Sequence, residues 1–254
     1  VSRLPGVTRV RHEVRRRVLT VARVQDIAPA MRRVVLTGPA LEGFTSLGFD
    51  DHVKLFFAPV GAAAQGESRD FTPRHHDAER GELWLDFFLH EAGPAAEWGA
   101  RAAPGDTLDI GGPRGSMLID TAGIDLHLLV GDETAYPAIC RRLEELPAGA
   151  RALVVLEITD GARWPLPASR ARVQATQVVR GSDAGQPAGS LIDALRTFEF
   201  PTPGTYAWVA LEFHATRAVR QYLRTGRNFA KEWIKAASYW NRGPVGADER
   251  IEDD

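Results

Sequence analysis

The hydrophobic pattern of this chain changes character once, near residues 116–125, and that change limits it to two differently built halves. Before it, short runs rich in β-branched and aromatic residues lie between Gly, Pro and Asp turn signals, at residues 17–26, 31–37, 52–58, 69–75, 82–90 and 107–110. Strands at such close spacing predict a six-stranded antiparallel β-barrel. One helix is expected over 93–102, where Pro94 suits an early helical position. After it, apolar strands at 125–130, 152–159, 173–179 and 204–211 alternate with helical stretches at 134–146, 190–198 and 215–224. That alternation predicts a doubly wound parallel sheet. The expected domains are therefore residues 1–118, the barrel, and residues 119–254, an α/β domain. Trp233 and Trp240 suggest that a docking C-terminal helix and tail complete the second.

Composition narrows the partners. The 254 residues carry a formal net charge of −2, which disfavours nucleic acid. The basic N-terminus (Arg3, Arg9, Arg11, Arg15, Arg16, Arg17) and the acidic C-terminus read as solvated tails. Cys140 stands alone, so no intramolecular disulfide or cysteine-ligated iron–sulfur cluster is expected; it reads as a core residue. No apolar run approaches the roughly 20 residues that span a bilayer, and the N-terminus lacks a signal-peptide core. A cytoplasmic protein without membrane contact is the expectation. His75-His76-Asp77 invites a metal reading, but neighbours on a strand face opposite ways and further ligands would be needed, so no bound metal is expected.

The richest motif is Arg69-Asp70-Phe71-Thr72-Pro73-Arg74. It sets two guanidinium groups, an aromatic face and a hydroxyl within six residues of an extended segment. An edge strand with solvated charges is one reading. The other is a flavin dinucleotide, which offers a pyrophosphate to arginine, a flat ring to the aromatic side chain and polar ring edges to the hydroxyl.

The context of that motif carries a resemblance. It is followed by Leu85-Asp86-Phe87-Phe88-Leu89-His90, Gly93-Pro94-Ala95-Ala96-Glu97-Trp98, Pro104-Gly105-Asp106 and Gly112-Pro113-Arg114-Gly115. Gly131-Asp132-Glu133-Thr134-Ala135-Tyr136-Pro137-Ala138-Ile139 comes next, then Trp208-Val209-Ala210 with Glu212, then Tyr239-Trp240-Asn241-Arg242-Gly243. In this order the series resembles the siderophore-interacting proteins, a branch of the ferredoxin-reductase-like flavoproteins, over residues 18–243.

The resemblance implies an FAD-dependent reductase of ferric siderophores, with FAD in the barrel and NADPH or NADH at the α/β domain. It puts Arg69, Asp70, Phe71, Thr72, His90, Gly93, Ala95, Ala96, Gly115 and Ser116 around FAD. Thr72 would bond the flavin ring and bias its reduction, as the catalytic residue. Asp132, Glu133, Thr134, Ala135 and Glu212 fall to the nicotinamide; Thr134 also suits a helix cap. Lys54, Arg114 and Arg242 form a basic set for an anionic ferric siderophore. Trp98 reads as a core anchor. The chain departs from the family pattern at Phe71, where tyrosine is usual, at Leu211 and Phe213, where small residues are usual, and at Asn241, where arginine is usual. Ferredoxin as the donor, a general flavin or ferric-chelate reductase, and a non-enzymatic siderophore binder remain alternatives.

Overall fold

The computed structural model describes residues 4–57, 67–89, 93–159, 161–181 and 188–242. The chain separates into two compact units, Val7–Ile119 and Asp120–Asp254, the latter joined by Val1–Gly6.

The first unit holds strands β1 (Val7–Arg11), β2 (Arg16–Ala28), β3 (Met31–Thr37), β4 (Val53–Phe56), β5 (Ser68–Phe71), β6 (His75–Asp77), β7 (Glu82–Phe88), β8 (Thr107–Gly111) and β9 (Gly115–Ile119), with helix α1 (Pro94–Arg101) between β7 and β8. Seven of these strands form one antiparallel sheet in the order β5-β4-β8-β2-β3-β7-β6. Strict alternation along β2 turns Arg17, Leu19 and Val21 inward and Arg16, Val18 and Thr20 outward. The inward faces of β2, β3, β4, β7 and β8 bury Leu19, Val34, Leu36, Leu55, Leu85, Phe87 and Ile110, each such side chain contributing about 1.5–3 kcal/mol.

The two edge strands, β5 and β6, are joined by only Thr72, Pro73 and Arg74. A link that short spans at most about 14 Å from Phe71 to His75. The sheet must therefore curl until the end of β5 lies near the start of β6, and this three-residue link is the seam of the unit. One expected strand over 69–75 is thus two, which gives seven strands in the sheet where six were expected. Pro73 lacks the N–H that a continuous ladder needs.

The basic N-terminal arm is likewise not a solvated tail along its whole length. Val7–Arg11 pairs antiparallel with β9, Val7 opposite Ile119 and Arg11 opposite Gly115. A Cβ on Gly115 would lie 2.5 Å from the Val10 carbonyl oxygen, so the ribbon requires glycine there.

The second unit holds β10 (Leu126–Gly131), α2 (Tyr136–Glu145), β11 (Arg151–Ile158), β12 (Arg172–Val179), α3 (Gly189–Arg196), β13 (Thr205–Glu212), α4 (Phe213–Gln221) and β14 (Ile234–Trp240). The strands run parallel in the order β12-β11-β10-β13-β14. Strands β10, β11 and β13 are buried on both faces and read as near-continuous apolar runs for that reason. The C-terminal segment expected to be a helix is the edge strand β14, entered through a 3₁₀ turn at Lys231–Trp233. Cys140 is buried on α2. No helix among the described residues is long and apolar enough to cross a membrane.

Candidate functional site

In the first unit the seam places Thr72 in a buried position, 7% exposed, and its hydroxyl makes no hydrogen bond to another described residue. Phe71, on the last position of β5, packs its ring 4.6 Å from that of Phe87, which in turn lies 5.3 Å from Trp98 on α1. This aromatic run brings the seam and α1 to one region of the barrel. It requires Gly99, since a Cβ there would sit 2.8 Å from the Phe87 ring. Trp98 is a core anchor, as expected.

Helix α1 starts at Gly93, whose φ of 116° lies outside the range most residues adopt, and no side chain caps its first turn. The Ala95 and Ala96 N–H groups, in a first turn that intrahelical bonds cannot serve, donate to no side chain among the described residues. Arg69 is partly exposed; it donates to the Ser68 carbonyl at 2.8 Å and lies 3.7 Å from Glu67. Arg74 is not a surface residue. It is buried, 3.9 Å from Asp86, whose carboxylate takes both Arg33 nitrogens at 2.7 and 2.8 Å. His90 lies outside the described residues.

Several expected site residues have other roles. Asp70 is paired across the strands with Lys54 at 2.9 Å, so neither presents an uncompensated charge. Both are well exposed, and such a pair is worth about 1 kcal/mol at most, so an anion can compete for Lys54. Gly115 serves the β1–β9 ribbon. The Ser116 hydroxyl is fully committed: it donates to Asp51 at 2.6 Å and accepts the Leu47 N–H at 3.1 Å, with His12 Nε2 at 2.7 Å. Asp51 can only accept, so the network assigns the His12 proton to Nε2. Arg114 is exposed, and its carbonyl accepts the His12 N–H at 3.0 Å.

In the second unit the sheet order reverses at β10, flanked by β11 and β13, which makes the carboxyl ends of β10 and β13 the ligand-facing crevice of such a sheet. Gly131 ends β10; a Cβ there would come 2.5 Å from that of Ala135, so the turn closes only over glycine. Asp132 accepts the Thr134 N–H and hydroxyl at 2.9 and 2.6 Å and the Trp240 indole N–H at 2.7 Å. Thr134 therefore serves Asp132 and does not cap α2, whose N-cap is Ala135. Glu133 is bound by Arg180 and the Thr159 hydroxyl, both at 2.5 Å, and Arg180 also holds Glu157 at 2.7 Å.

Asp132, Glu133 and Glu157 thus surround one guanidinium in a buried cluster. Burial pushes the Asp132 and Glu157 carboxyls up from their usual range. Burial pulls Arg180 down, but the attraction of Glu133 and the Glu157 hydrogen bond outweigh it and raise the group overall. Asp132 and Glu133 are therefore buried and engaged beneath the crevice.

Glu212 behaves differently. Its Oε2 caps α4 by accepting the His214 and Ala215 N–H groups at 2.8 and 3.1 Å, while Oε1 is buried and has no partner among the described residues. Arg242 is exposed, its guanidinium 5.9 Å from the Trp240 ring, whose other neighbour is Arg180 at 5.7 Å.

The anchors Arg180 and Glu157 did not stand out in the sequence, and Trp240 was expected there as a packing residue. Their signal was positional: each is a charged or hydrogen-bonding residue at the carboxyl end of a strand of one parallel sheet.

Comparison with known proteins agrees with this architecture. The family described as siderophore-interacting protein matches residues 124–243, and the one described as siderophore-interacting FAD-binding domain matches residues 20–66 and 60–117. The chain is 33% identical over 253 residues to an NADPH-dependent ferric-chelate reductase of Escherichia coli K12, covering 92% of this chain and 96% of the relative. It is 30% identical over 249 residues to the ferric vibriobactin reductase ViuB of Vibrio cholerae, covering 89% and 90%. The crystal structure of a siderophore utilization protein from T. fusca superposes with a TM-score of 0.83 at 31% identity, covering 96% of this chain and 99% of that one. A barrel unit with this seam, a parallel sheet with this crevice and these matches across both place the chain in the siderophore-interacting protein family.

Proposed function

We propose that this chain is an FAD-dependent oxidoreductase that reduces ferric siderophores and releases Fe(II), with NADPH or NADH as electron donor. The reading is supported by the match to an FAD-binding domain and by the two reductases named above. The single observation that carries it is Thr72 at the seam, a residue only 7% exposed whose hydroxyl bonds no described residue. A hydroxyl held in a recessed position with both its donor and acceptor capacity unused is available to a ligand with a polar edge.

Bound FAD supplies the coupling between a two-electron hydride donor and one-electron acceptors, so that one NAD(P)H yields NAD(P)+, a proton and two Fe(II) from two Fe(III). The protein's part is binding and orientation. Thr72 hydrogen-bonds the ring edge, and Phe71 offers an apolar face. Arg69 and the uncapped N–H groups of α1 suit the pyrophosphate. Glu212 Oε1 can accept an amide N–H of the nicotinamide carboxamide. Arg114 and Arg242 offer exposed cations to an anionic ferric chelate, and Lys54 does so once displaced from Asp70.

The test is the visible spectrum of the purified protein with FAD, before and after anaerobic NADPH or NADH, followed by turnover of a ferric siderophore in the presence of an Fe(II) trap. A flavin band that bleaches, with trapped Fe(II), is the expected result. A flavin band that persists under both nicotinamides moves the donor to a protein such as ferredoxin. Failure to take up FAD would overturn the reading.

A further inference from the structure

We infer that the recess between residues 11–17 and the loop at 43–45 of the first unit is a binding site for a compact oxyanion carrying two or more negative charges. Its anchor is Arg17. This side chain occupies an inward position on β2, where Leu19 and Val21 continue the core, and it is only 6% exposed. Its guanidinium donates to three carbonyl oxygens, of Ala40 at 2.9 Å, Arg15 at 3.3 Å and Gly112 at 3.4 Å, and lies 5.5 Å from the Phe44 ring. No carboxylate bonds it, and its Nη2 donates to no described residue. A buried charge held only by neutral acceptors is costly and lacks a counter-ion.

The recess beside it has a volume of about 260 Å³ and is lined by Arg17 together with Arg11, Arg15, His12, Glu13 and Thr45. Three guanidinium charges thus face one carboxylate, and that carboxylate, Glu13, is exposed and engaged by Arg15 at 2.7 Å. His12 is fixed in place through Ser116 and, behind it, Asp51. Burial, and then the neighbouring Arg15 charge, lower the Arg17 guanidinium from the ordinary arginine value, with Glu13 opposing the shift.

Size limits the ligand. The volume lies below the roughly 300–1,000 Å³ of pockets that take drug-sized molecules, so a dinucleotide is too large and a phosphate, pyrophosphate or small polycarboxylate is suited. The forked donors of arginine match both classes of oxyanion. None of these residues belongs to the seam around Thr72, so the inference does not depend on the flavin.

The test is isothermal titration of the FAD-saturated protein at low ionic strength with inorganic phosphate, pyrophosphate and citrate. The expected result is saturable one-site binding of at least one, with the flavin spectrum unchanged. Tighter phosphate or pyrophosphate binding identifies a phosphate ligand; tighter citrate binding identifies a carboxylate one. The double variant Arg11→Gln/Arg15→Gln should weaken binding by about tenfold or more, because two charge-assisted contacts are lost. Glu13→Gln should tighten it by releasing Arg15. Arg17→Met should abolish both binding and the rise in Tm that the anion gives the unsubstituted protein. If Arg17→Met does not fold, the exposed variants decide alone. No saturable binding of any probe, or binding indifferent to both exposed variants, would overturn the inference.

Discussion

The Trp240 indole donates to the Asp132 carboxylate at 2.7 Å, tying the end of the last strand to the turn after the first strand of the parallel sheet. Strand β13 lies between them, so this bond reaches across a neighbour. Trp240→Phe removes one donor from a fully buried carboxylate and should cost about 1–3 kcal/mol in urea unfolding. Arg180→Met should cost more, about 3–5 kcal/mol, because it leaves Glu133 and Glu157 buried without their cation. Equal losses for the two variants would show that Arg180 is not the hub.

His127, on β10, is 1% exposed, and neither ring nitrogen meets a partner among the described residues. Burial, and then the Arg142 charge, lower its pKa from 6.5 to about 3. The folded state refuses a proton that the unfolded state accepts, so stability is full above about pH 6.5 and is lost as pH falls toward 3. At pH 5 the loss is about 2 kcal/mol. His127→Leu should abolish that slope, leaving the variant more stable than the parent at pH 5 by chemical denaturation.

Glu82 accepts both Arg23 terminal nitrogens, at 2.5 and 2.8 Å, and the Trp84 indole at 3.1 Å. The Arg23 bonds, then the indole, lower its pKa from 4.5 to about 2. This carboxylate therefore stabilises the fold above about pH 4.5, and the contribution disappears as pH falls toward 2. Arg23 is half exposed, so solvent screening limits the effect to about 1 kcal/mol or less. Glu82→Gln should show that deficit at pH 7 and none near pH 2.

Thr72→Val keeps the shape of the seam and removes its hydroxyl. If Thr72 holds the flavin ring, FAD affinity should fall about fivefold, from loss of one hydrogen bond, in a fluorescence titration of the flavin-free protein. Unchanged affinity together with an unchanged rate of reduction by NAD(P)H would remove Thr72 from the site.

The division into a barrel and a parallel sheet was legible because its signals are periodic. Buried β10, β11 and β13 are predominantly apolar, and β3 and β7 carry β-branched and aromatic residues between clear turns. The misreadings fall where that periodicity fades. Strand β14 is half-buried along its whole length and shows no alternation, so Trp240 within it and Trp233 just before it suggest a docking helix and tail instead. Strand β1 is mostly exposed and basic, and only its pairing with β9 makes it a strand.

Site residues divided in a similar way. The motif positions Phe71 and Thr72 fall at the seam, whereas the bonds that Ser116, Asp132 and Glu133 make to Asp51, Trp240 and Arg180 have no signal in the sequence. Those partners are 65, 108 and 47 residues away. No local pattern reports a bond of that range.

The three-residue link between β5 and β6 has a mechanical meaning as well. A cylinder of strands left open along one line is a split hoop, stiff everywhere except at the split. Whatever Thr72 holds would act there as a clasp, gripping both margins together. Amide exchange in Ser68–Phe71 and in His75–Asp77 should then slow in concert when the clasp is fitted and quicken in concert when it is lost, while the strands opposite, β2 and β8, keep their own pace.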